Sequence, residues 1–358
     1  MISAELEAKP AKVRCLGWGI AALAIWMVCG ASLAAEPSLQ LTPRSAIRVD
    51  APVRALAFGS GGARMYIAAG SDLRAYDSAS GGLLATLKLP GSVADMTVDK
   101  TDSIGFAAVS SPRRLIFFQL HPLRIVRSVT LTDGAPSALL YDAAAHVVFV
   151  ESAHSGALTE FDAASGRRLA ALKLPGTLRQ MAVNDRGTLY VANAARNGID
   201  VIDVKQMKYL GAIPLRGCSG PTGLAMDPVG RRLFVSCTDG MRAIVDADMG
   251  FTFERLPSLL RGSSRMLFAF HPFGTHGWKG AAISCGANDR LALIKMEAFV
   301  KYTAAGDFSL QGHCGAMALD NHTHQLWLAV GSKLAQAPRS NGLSVKLWTL
   351  GPAGQTSP

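Results

Sequence analysis

Residues Leu189 to Asp203 read LYVANAARNGIDVID. An apolar run ends in a small polar hinge and an alternating apolar series follows, which is the pattern of two strands joined by a turn. Comparable strands recur along the chain, and their central residues are Tyr66, Phe106, Phe149, Tyr190, Phe234, Ala282 and Trp327. These centres are separated by 40, 43, 41, 44, 48 and 45 residues. The opening stretch is therefore one copy of a sevenfold repeat.

A second pair of segments supports the same period. YDSASGGLLATLKLPG from Tyr76 and FDAASGRRLAALKLPG from Phe161 agree at 11 of 16 positions and begin 85 residues apart, which corresponds to two units. Asn193 and Asn197 flank the hinge of the opening stretch. We interpret them as turn formers, because the position of Asn193 is held in the other units by Ala69, Val109, Ser152, Cys237, Cys285 and Val330.

Each unit divides into four short strands. In the fourth unit they read RQMAVND, TLYVANA, GIDVIDV and KYLGAIPL, bounded by the Asp, Asn, Gly and Pro residues that favour turns. Four strands in 40 to 45 residues are typical of a propeller blade. A single blade exposes two apolar faces, and stacking blades in a ring buries both. The sequence predicts an all-β fold, a seven-bladed β-propeller.

The last unit lacks one strand. It supplies GAMALDN, QLWLAVG and LSVKLWTL, and SAIRVDA from Ser45 offers the missing strand just before the first unit. We expect this N-terminal strand to complete the last blade and close the ring, which leaves no open sheet edge. The predicted domain covers residues 45–350, preceded by a linker at 35–44 and followed by a disordered tail at 351–358.

The first 34 residues have the layout of a secretory signal peptide. Lys9, Lys12 and Arg14 precede an apolar stretch at 15–28, and the small residues of GASLAAEP follow. Cleavage is expected after about Ala34 or Ala35, which predicts a periplasmic or secreted protein without a stable membrane span. The alternative is a retained anchor. No other stretch is long and apolar enough to cross a bilayer.

Charge and composition indicate which classes of binding partner are expected. Charged residues make up 17% of the chain and hydrophobic residues 49%, which allows a sizeable core. The formal charge is +10, and losing residues 1–34 would leave +9. This surplus favours another envelope protein or an anionic envelope component as partner. No basic run exceeds two residues and no aromatics interleave with the charges, so nucleic acid is not expected. We expect a monomer.

The opening stretch also resembles a known family. LYVANAARNGIDVIDVKQMKYLGAIPL from Leu189 is similar to the bacterial YVTN β-propeller repeat, with Tyr190, Val191 and Asn193 matching its first strand end. Ala192 replaces the family's threonine. The second half of the motif is matched by Asn197, Val201, Ile202 and Asp203. GPTGLAMDPVGRRLFVS from Gly220 resembles the beginning of the next repeat, and the other blades keep little beyond the hydrophobic pattern.

The resemblance implies an exported or surface protein that acts as a scaffold or binding module. We therefore expect an exported, non-catalytic propeller in the periplasm or at the cell surface. Related propellers form lactonases and the heavy subunits of quinoprotein amine dehydrogenases. The alternative is thus a lactonase-like hydrolase, or a non-catalytic subunit of a periplasmic quinoprotein or amine dehydrogenase system. Fold analogy does not decide between them.

Four cysteines remain after the predicted signal peptide: Cys218, Cys237, Cys285 and Cys314. An even number in an exported protein predicts two disulfides, although four cysteines allow three connectivities. Cys237 and Cys285 share one blade position, and the other two cysteines lie just before first strands. This placement favours Cys218 with Cys237 and Cys285 with Cys314. A metal site is the alternative, but no Cys-x-x-Cys motif is present.

Candidate ligand-binding residues lie where first strands begin, at the mouth of the channel. They are Arg179, Gln180, Thr222, Arg265 and His313, with Trp278 in the long loop of the sixth unit as a stacking residue. Hydration of a polar funnel is the alternative role. There is no Gly-x-Ser-x-Gly motif, and His322 and His324 fall in a turn, so no catalytic residue, metal or cofactor is predicted. An enzyme should have convergent charged groups with perturbed pKa values at this mouth, whereas a binding module should have an exposed apolar patch.

Overall fold

Seven antiparallel sheets of four strands each account for the described part of the chain. The structure is a computed structural model that describes residues 39–99, 101, 103–152, 154–262, 264–270, 279–298, 300–310, 312–320, 325–331 and 343–352. It confirms the predicted all-β, seven-bladed propeller. Within these ranges, no helix has the length and apolar character needed to cross a membrane. The predicted signal peptide lies outside them.

The strands follow the chain blade by blade. Blades one and two contain β2 (Val53–Phe58), β3 (Arg64–Ala69), β4 (Asp72–Asp77), β5 (Leu83–Lys88), β6 (Val93–Val98), β7 (Ile104–Ser110), β8 (Arg113–Gln119) and β9 (Arg124–Thr130). Blades three and four contain β10 (Ala138–Asp142), β11 (Val147–Ser152), β12 (Ala157–Asp162), β13 (Arg168–Lys173), β14 (Leu178–Val183), β15 (Thr188–Asn193), β16 (Gly198–Asp203) and β17 (Lys208–Pro214). Blades five and six contain β18 (Pro221–Asp227), β19 (Arg232–Cys237), β20 (Met241–Asp246), β21 (Thr252–Pro257), β22 (Ser264–Phe270), β23 (Gly280–Gly286), β24 (Arg290–Ala298) and β25 (Lys301–Ser309). Blade seven contains β26 (His313–Asp320), β27 (Gln325–Gly331), β28 (Leu343–Pro352) and β1 (Leu39–Val49).

The second strand of each blade forms the core between neighbouring blades. All seven repeat centres named above are at most 2% exposed. The hydroxyl of Tyr190 also donates a hydrogen bond to the main-chain oxygen of Ala247 in the next blade, at 3.0 Å. These strands are almost uniformly apolar because both of their faces are covered.

The repeated Tyr/Phe-Asp-x-Ala-Ser segments form the turns between third and fourth strands. Oδ1 of Asp77 accepts hydrogen bonds from the main-chain nitrogen of Ser80 at 2.8 Å and from its hydroxyl at 2.7 Å. Asp162 and Ser165 repeat both contacts at 2.6 Å. The strong identity between these segments therefore reflects a shared turn, as aspartate side chains favour such turns by bonding to the main chain ahead of them.

The N-terminal strand closes the ring as predicted. β1 is the outermost strand of the seventh sheet and pairs antiparallel with β28, with Ile47 opposite Val345. The strand is longer than predicted, since Leu39 pairs with Pro352 and Gln40 with Gly351. The predicted linker at 35–44 is therefore wrong from residue 39 onward, and the predicted tail is wrong at 351 and 352. Main-chain pairing extends past the apolar pattern that marked the strand in the sequence.

The cysteines form the two pairs favoured by their positions. Cys218 and Cys237 are joined within blade five with a Cα–Cα distance of 5.6 Å, and Cys285 and Cys314 join blades six and seven at 6.0 Å. Both pairs lie where second strands end and first strands begin. We call this side of the ring, with the connections between blades, the disulfide face. The side with the turns between strands one and two and between strands three and four is the hairpin face.

Hydrogen bonds replace the disulfide in blade four. Asn193 occupies the position of Cys237 and Cys285, and its side-chain nitrogen donates to the main-chain oxygen of Pro175 at 2.8 Å. The side-chain oxygen accepts from the main-chain nitrogen of Thr177 at 3.2 Å. The end of a second strand is thus fastened to the segment before a first strand in both cases, which supports the interpretation of Asn193 as a structural residue.

Removing the disulfide between blades six and seven should destabilise the ring. Cys285 and Cys314 are 29 residues apart in sequence, and a loop of that length gives a disulfide a stabilising effect of about 3.5 kcal/mol through the unfolded state. We expect C285A/C314A to lose about this much free energy of unfolding in guanidinium titrations. C218A/C237A serves as the control, because it removes only the disulfide within blade five. Equal midpoints for the variant and the oxidised wild type would contradict the pairing.

Candidate functional site

A polar cavity of about 240 Å³ lies in the central channel, towards the disulfide face. First strands line the channel of a propeller, and the wall of this cavity comes from five consecutive blades. The lining residues are Asp95, Ser137, Ala138, Leu139, Glu151, Leu178, Arg179, Gln180, Met181, Thr222 and Arg265. Four of the residues predicted from the sequence are therefore brought together in one cavity.

An ion pair crosses the channel between blades two and six. Oδ1 of Asp95 accepts hydrogen bonds from Nη1 and Nη2 of Arg265 at 3.2 and 3.3 Å. The carboxylate also accepts from the main-chain nitrogens of Met96 and Leu139, each at 3.0 Å. Asp95 is buried, and these donors satisfy it. The pair connects blades that are 170 residues apart in sequence, and its two charges compensate each other.

Gln180 makes a second connection across blades. Its side-chain nitrogen donates to the main-chain oxygen of Met266 at 2.8 Å. Its oxygen accepts from the main-chain nitrogens of Met266 at 2.9 Å and Leu224 at 3.3 Å. One amide therefore joins blades four, five and six. These contacts give Gln180 a structural role, because its donor and acceptor are already used within the protein.

Glu151 is the anomalous residue of the cavity. It lies two positions after the repeat centre of β11, where the other six blades hold Ala68, Ala108, Ala192, Ser236, Ser284 and Ala329. Its side chain is only 1% exposed, and neither carboxyl oxygen has a hydrogen-bond partner among the described residues. Burial raises the pKa of Glu151 to about 8, and the charge of Asp95 acts in the same direction. The hydroxyl of Ser137 and the charge of Arg179 oppose this increase in pKa.

Arg179 supplies a positive charge at the cavity wall, where its guanidinium forms no ion pair or hydrogen bond with the described residues and acts on Glu151 only at longer range. The pairing of β14 with β15 is irregular between Leu178 and Met181, so Arg179 and Gln180 fall in a β-bulge at the cavity wall. Arg179 is exposed, and no acceptor in the described part of the chain pairs with its guanidinium. Thr222 lies in the corresponding irregularity of blade five, where its hydroxyl donates to the main-chain oxygen of Ser236 at 3.4 Å.

His313 does not line the cavity. His313 is exposed on the disulfide face, where its Nδ1 lies 3.2 Å from the main-chain oxygen of Ala287. Trp278, His322 and His324 lie outside the described residues. Within the described ranges, no group of three or more His, Cys, Asp or Glu side chains is placed to hold a metal ion.

Sequence reasoning missed Asp95 and Glu151. Glu151 was hidden because VFVES reads as one of the apolar second strands. The sequence did contain a signal: when the seven second strands are aligned, the position of Glu151 holds alanine or serine in the other six blades. Asp95 carries no such signal, since its function depends on Arg265 from a distant blade.

A second feature is an apolar patch on the hairpin face of blade five. Its members are Val229, Met249, Phe251 and Phe253, which are 63%, 77%, 48% and 37% exposed. Val229 and Met249 belong to the two adjacent turns of this blade, which the ion pair between Arg231 and Asp248 holds together. We call these four residues the blade-five patch.

Aromatic contacts anchor the blade-five patch to the core. The ring of Phe253 lies 6.5 Å from that of Phe251 and 5.9 Å from that of Tyr302 in blade six. Tyr302 in turn meets the buried ring of Phe234 at 5.7 Å. The guanidinium of Arg232 lies 5.2 Å from the centre of the Phe253 ring. The patch is therefore a rigid surface, and its exposed apolar side chains are available for contact.

A second concave region is a groove of about 510 Å³ between blades one and two. Lys88 and Arg114 contribute positive charge to its lining. However, Nζ of Lys88 pairs with Asp72 at 2.7 Å, and Nη1 of Arg114 donates to the hydroxyl of Ser128 at 2.9 Å. The charge of Lys88 is therefore paired with a carboxylate, whereas the guanidinium of Arg114 is held by a neutral hydroxyl.

The architecture thus defines the class of the protein as a seven-bladed β-propeller. No protein-family model matches the sequence, and no curated protein matches it. The fold is similar to a chain in the crystal structure of the mitotic checkpoint complex, with a TM-score of 0.70 and 14% identity over 94% of this chain and 98% of that one. It is also similar to the RRP9 WD40 repeats, with a TM-score of 0.69 and 12% identity over 87% of this chain and 99% of that one. A third similar structure is that of U3-55K, with a TM-score of 0.68 and 12% identity over 87% of this chain and 99% of that one. Identities this low establish the fold alone.

Proposed function

We propose that the protein is an exported, non-catalytic propeller of the YVTN-repeat type, which binds a protein partner in the periplasm or at the cell surface. The blade-five patch is the observation that carries this proposal. Four large apolar side chains project from neighbouring turns and the adjoining strand on one side of one blade, and exposed apolar clusters of this kind mark interaction sites. Aromatic residues and methionine are the side chains that protein interfaces favour.

Two further observations support export. The N-terminal sequence has the charged, apolar and small-residue regions of a signal peptide. The four cysteines of the propeller are paired as disulfides, which persist in oxidising compartments. Osmotic-shock fractionation followed by mass spectrometry tests this part. We expect a mature N terminus at residue 35 or 36, and recovery of the full-length chain with the cytoplasmic fraction would contradict export.

A photo-crosslinking residue at Met249 should capture the partner in intact cells. Leu84 in β5 is a matched control, because it is also exposed and apolar but lies in blade one, away from the patch. We expect one discrete adduct from position 249, its loss when Phe251→Ser is added, and no such adduct from position 84. Adducts of equal yield from both positions, or none from position 249, would contradict the proposed surface.

A lactonase-like hydrolase is the second candidate, and Glu151 is the observation that favours it. A buried carboxyl whose pKa is raised to about 8 at a channel mouth is a feature of general acids and bases. Turnover of a lactone panel by the purified protein, abolished by Glu151→Gln, would support the hydrolase and refute the non-catalytic proposal. The other alternative, a non-catalytic subunit of a periplasmic quinoprotein or amine dehydrogenase system, predicts such an enzyme as the captured partner.

A further inference from the structure

Glu151 and Arg179 are the two charged groups of the channel cavity whose side chains lack a hydrogen-bond or ion-pair partner among the described residues. Asp95 and Arg265 pair with each other, and the amide of Gln180 is used between blades. Neither carboxyl oxygen of Glu151 has a partner in hydrogen-bond geometry among the described residues. The nearby hydroxyl of Ser137, which lowers the pKa of Glu151, donates its hydrogen to the main-chain oxygen of Glu151 at 3.1 Å. Arg179 is exposed, and its guanidinium forms no ion pair or hydrogen bond with the described residues, although its charge acts on Glu151 at longer range. A ligand that carries both a cationic group for Glu151 and an anionic group for Arg179 would supply these partners.

The burial of Glu151 is costly without such a ligand. An alanine or serine occupies the same position in every other blade, so the repeat packs well without a carboxyl here. Placing an unpaired carboxyl in the protein interior destabilises the folded state even when the carboxyl is neutral. Residues that break a local rule at such a cost are commonly functional.

We propose that the cavity binds a small α-amino acid, with the ligand's carboxylate on Arg179 and its ammonium group on Glu151. Guanidinium and carboxylate groups form strong, geometrically specific pairs, and a carboxylate is the natural acceptor for an ammonium group. The cavity volume of about 240 Å³ holds roughly eight groups of water size at ~30 Å³ each, which limits the ligand to the smaller amino acids. The proposal does not depend on the blade-five patch.

Binding should release a proton at neutral pH. Because its pKa is about 8, Glu151 is mostly protonated at pH 7 in the empty protein. An ammonium group stabilises the ionised carboxylate, so the carboxyl proton leaves to the buffer when the ligand binds. Asp95, Arg179 and Arg265 are the other charged groups of the cavity, and the mutual pairing of Asp95 and Arg265 leaves Glu151 as the group that responds.

Titration calorimetry of the intact mature protein tests this proposal. L-alanine is the probe, and it is titrated at pH 7 in phosphate and in Tris, whose different ionisation enthalpies reveal proton release. Propionate lacks the ammonium group and ethylamine lacks the carboxylate. We expect L-alanine to bind with proton release, and both fragments to bind about 10- to 100-fold more weakly.

Variants separate a site from nonspecific binding. Glu151→Gln and Arg179→Gln should each weaken L-alanine by about 10- to 100-fold, and Glu151→Gln should abolish the proton release. Arg186→Gln is the control, because Arg186 is exposed on the hairpin face. Glu151→Ala repeats the test with the residue that four other blades hold at this position. No binding of L-alanine, glycine or L-serine, equal binding of propionate, or unchanged affinity in these variants would overturn the proposal. A failed crosslink at Met249 would leave it unaffected.

Discussion

Val49→Asp is expected to abolish cooperative folding of the propeller. Val49 is 0% exposed and belongs to a core cluster that joins the closing strand β1 to residues of blades one and seven, including Met65 and Trp327. An aspartate there loses the burial of the valine and places an unpaired carboxyl in an apolar cluster. Together these effects cost about 4 kcal/mol or more. That is a large part of the 5 to 15 kcal/mol by which domains are typically stable.

The neighbouring Arg48 provides a matched control. Side chains of β1 alternate between exposed and buried from Ala46 to Asp50, and Arg48 lies on the exposed side. Arg48→Asp should leave the free energy of unfolding nearly unchanged in urea titrations followed by circular dichroism. Deleting residues 45–50 should act like Val49→Asp. A wild-type melting temperature for either of these two variants would show that the ring does not depend on its closing strand.

The architecture could be predicted because each blade repeats the same hydrophobic pattern. Second strands such as TLYVANA must be apolar on both faces, so their centres recur wherever a blade recurs. The missing strand of the last unit then identified SAIRVDA as the closing strand. Its outer end was not predictable, because residues 39–43 pair with β28 beyond a register shift at Arg44, and this pairing uses main-chain atoms instead of an apolar side-chain pattern. The pairing of Cys285 with Cys314 followed from blade position in the same way.

The cavity could be predicted only in part. The start of a first strand faces the channel in every blade, which is why Arg179, Gln180, Thr222 and Arg265 were found. What these residues do was not accessible, since Arg265 meets Asp95 from the other side of the ring and Gln180 reaches Met266 two blades away. Contacts across the channel depend on ring geometry, which no local pattern encodes.

Stability should fall as pH rises because of Glu151. Its pKa is raised from 4.5 to about 8 in the folded protein, so between these values the folded state holds a proton that the unfolded state has released. The unfolded state therefore binds fewer protons, and the free energy of unfolding decreases with pH. The stabilising contribution is complete below pH 4.5 and is lost as pH rises through 8. A pKa difference of this size corresponds to up to about 5 kcal/mol.

Glu151→Gln removes this titration while keeping the shape of the side chain. Thermal unfolding of both proteins from pH 5 to pH 9 isolates the effect, because all other titrating groups are common to both. We expect the stability of wild type relative to Glu151→Gln to decline steadily over this range and to level off above pH 8. Asp185→Asn, which alters an exposed carboxylate in a turn of the hairpin face, should follow wild type throughout. A constant difference between wild type and Glu151→Gln would mean that the carboxyl is already ionised at pH 5, and the cavity would then hold a negative charge instead of a proton donor.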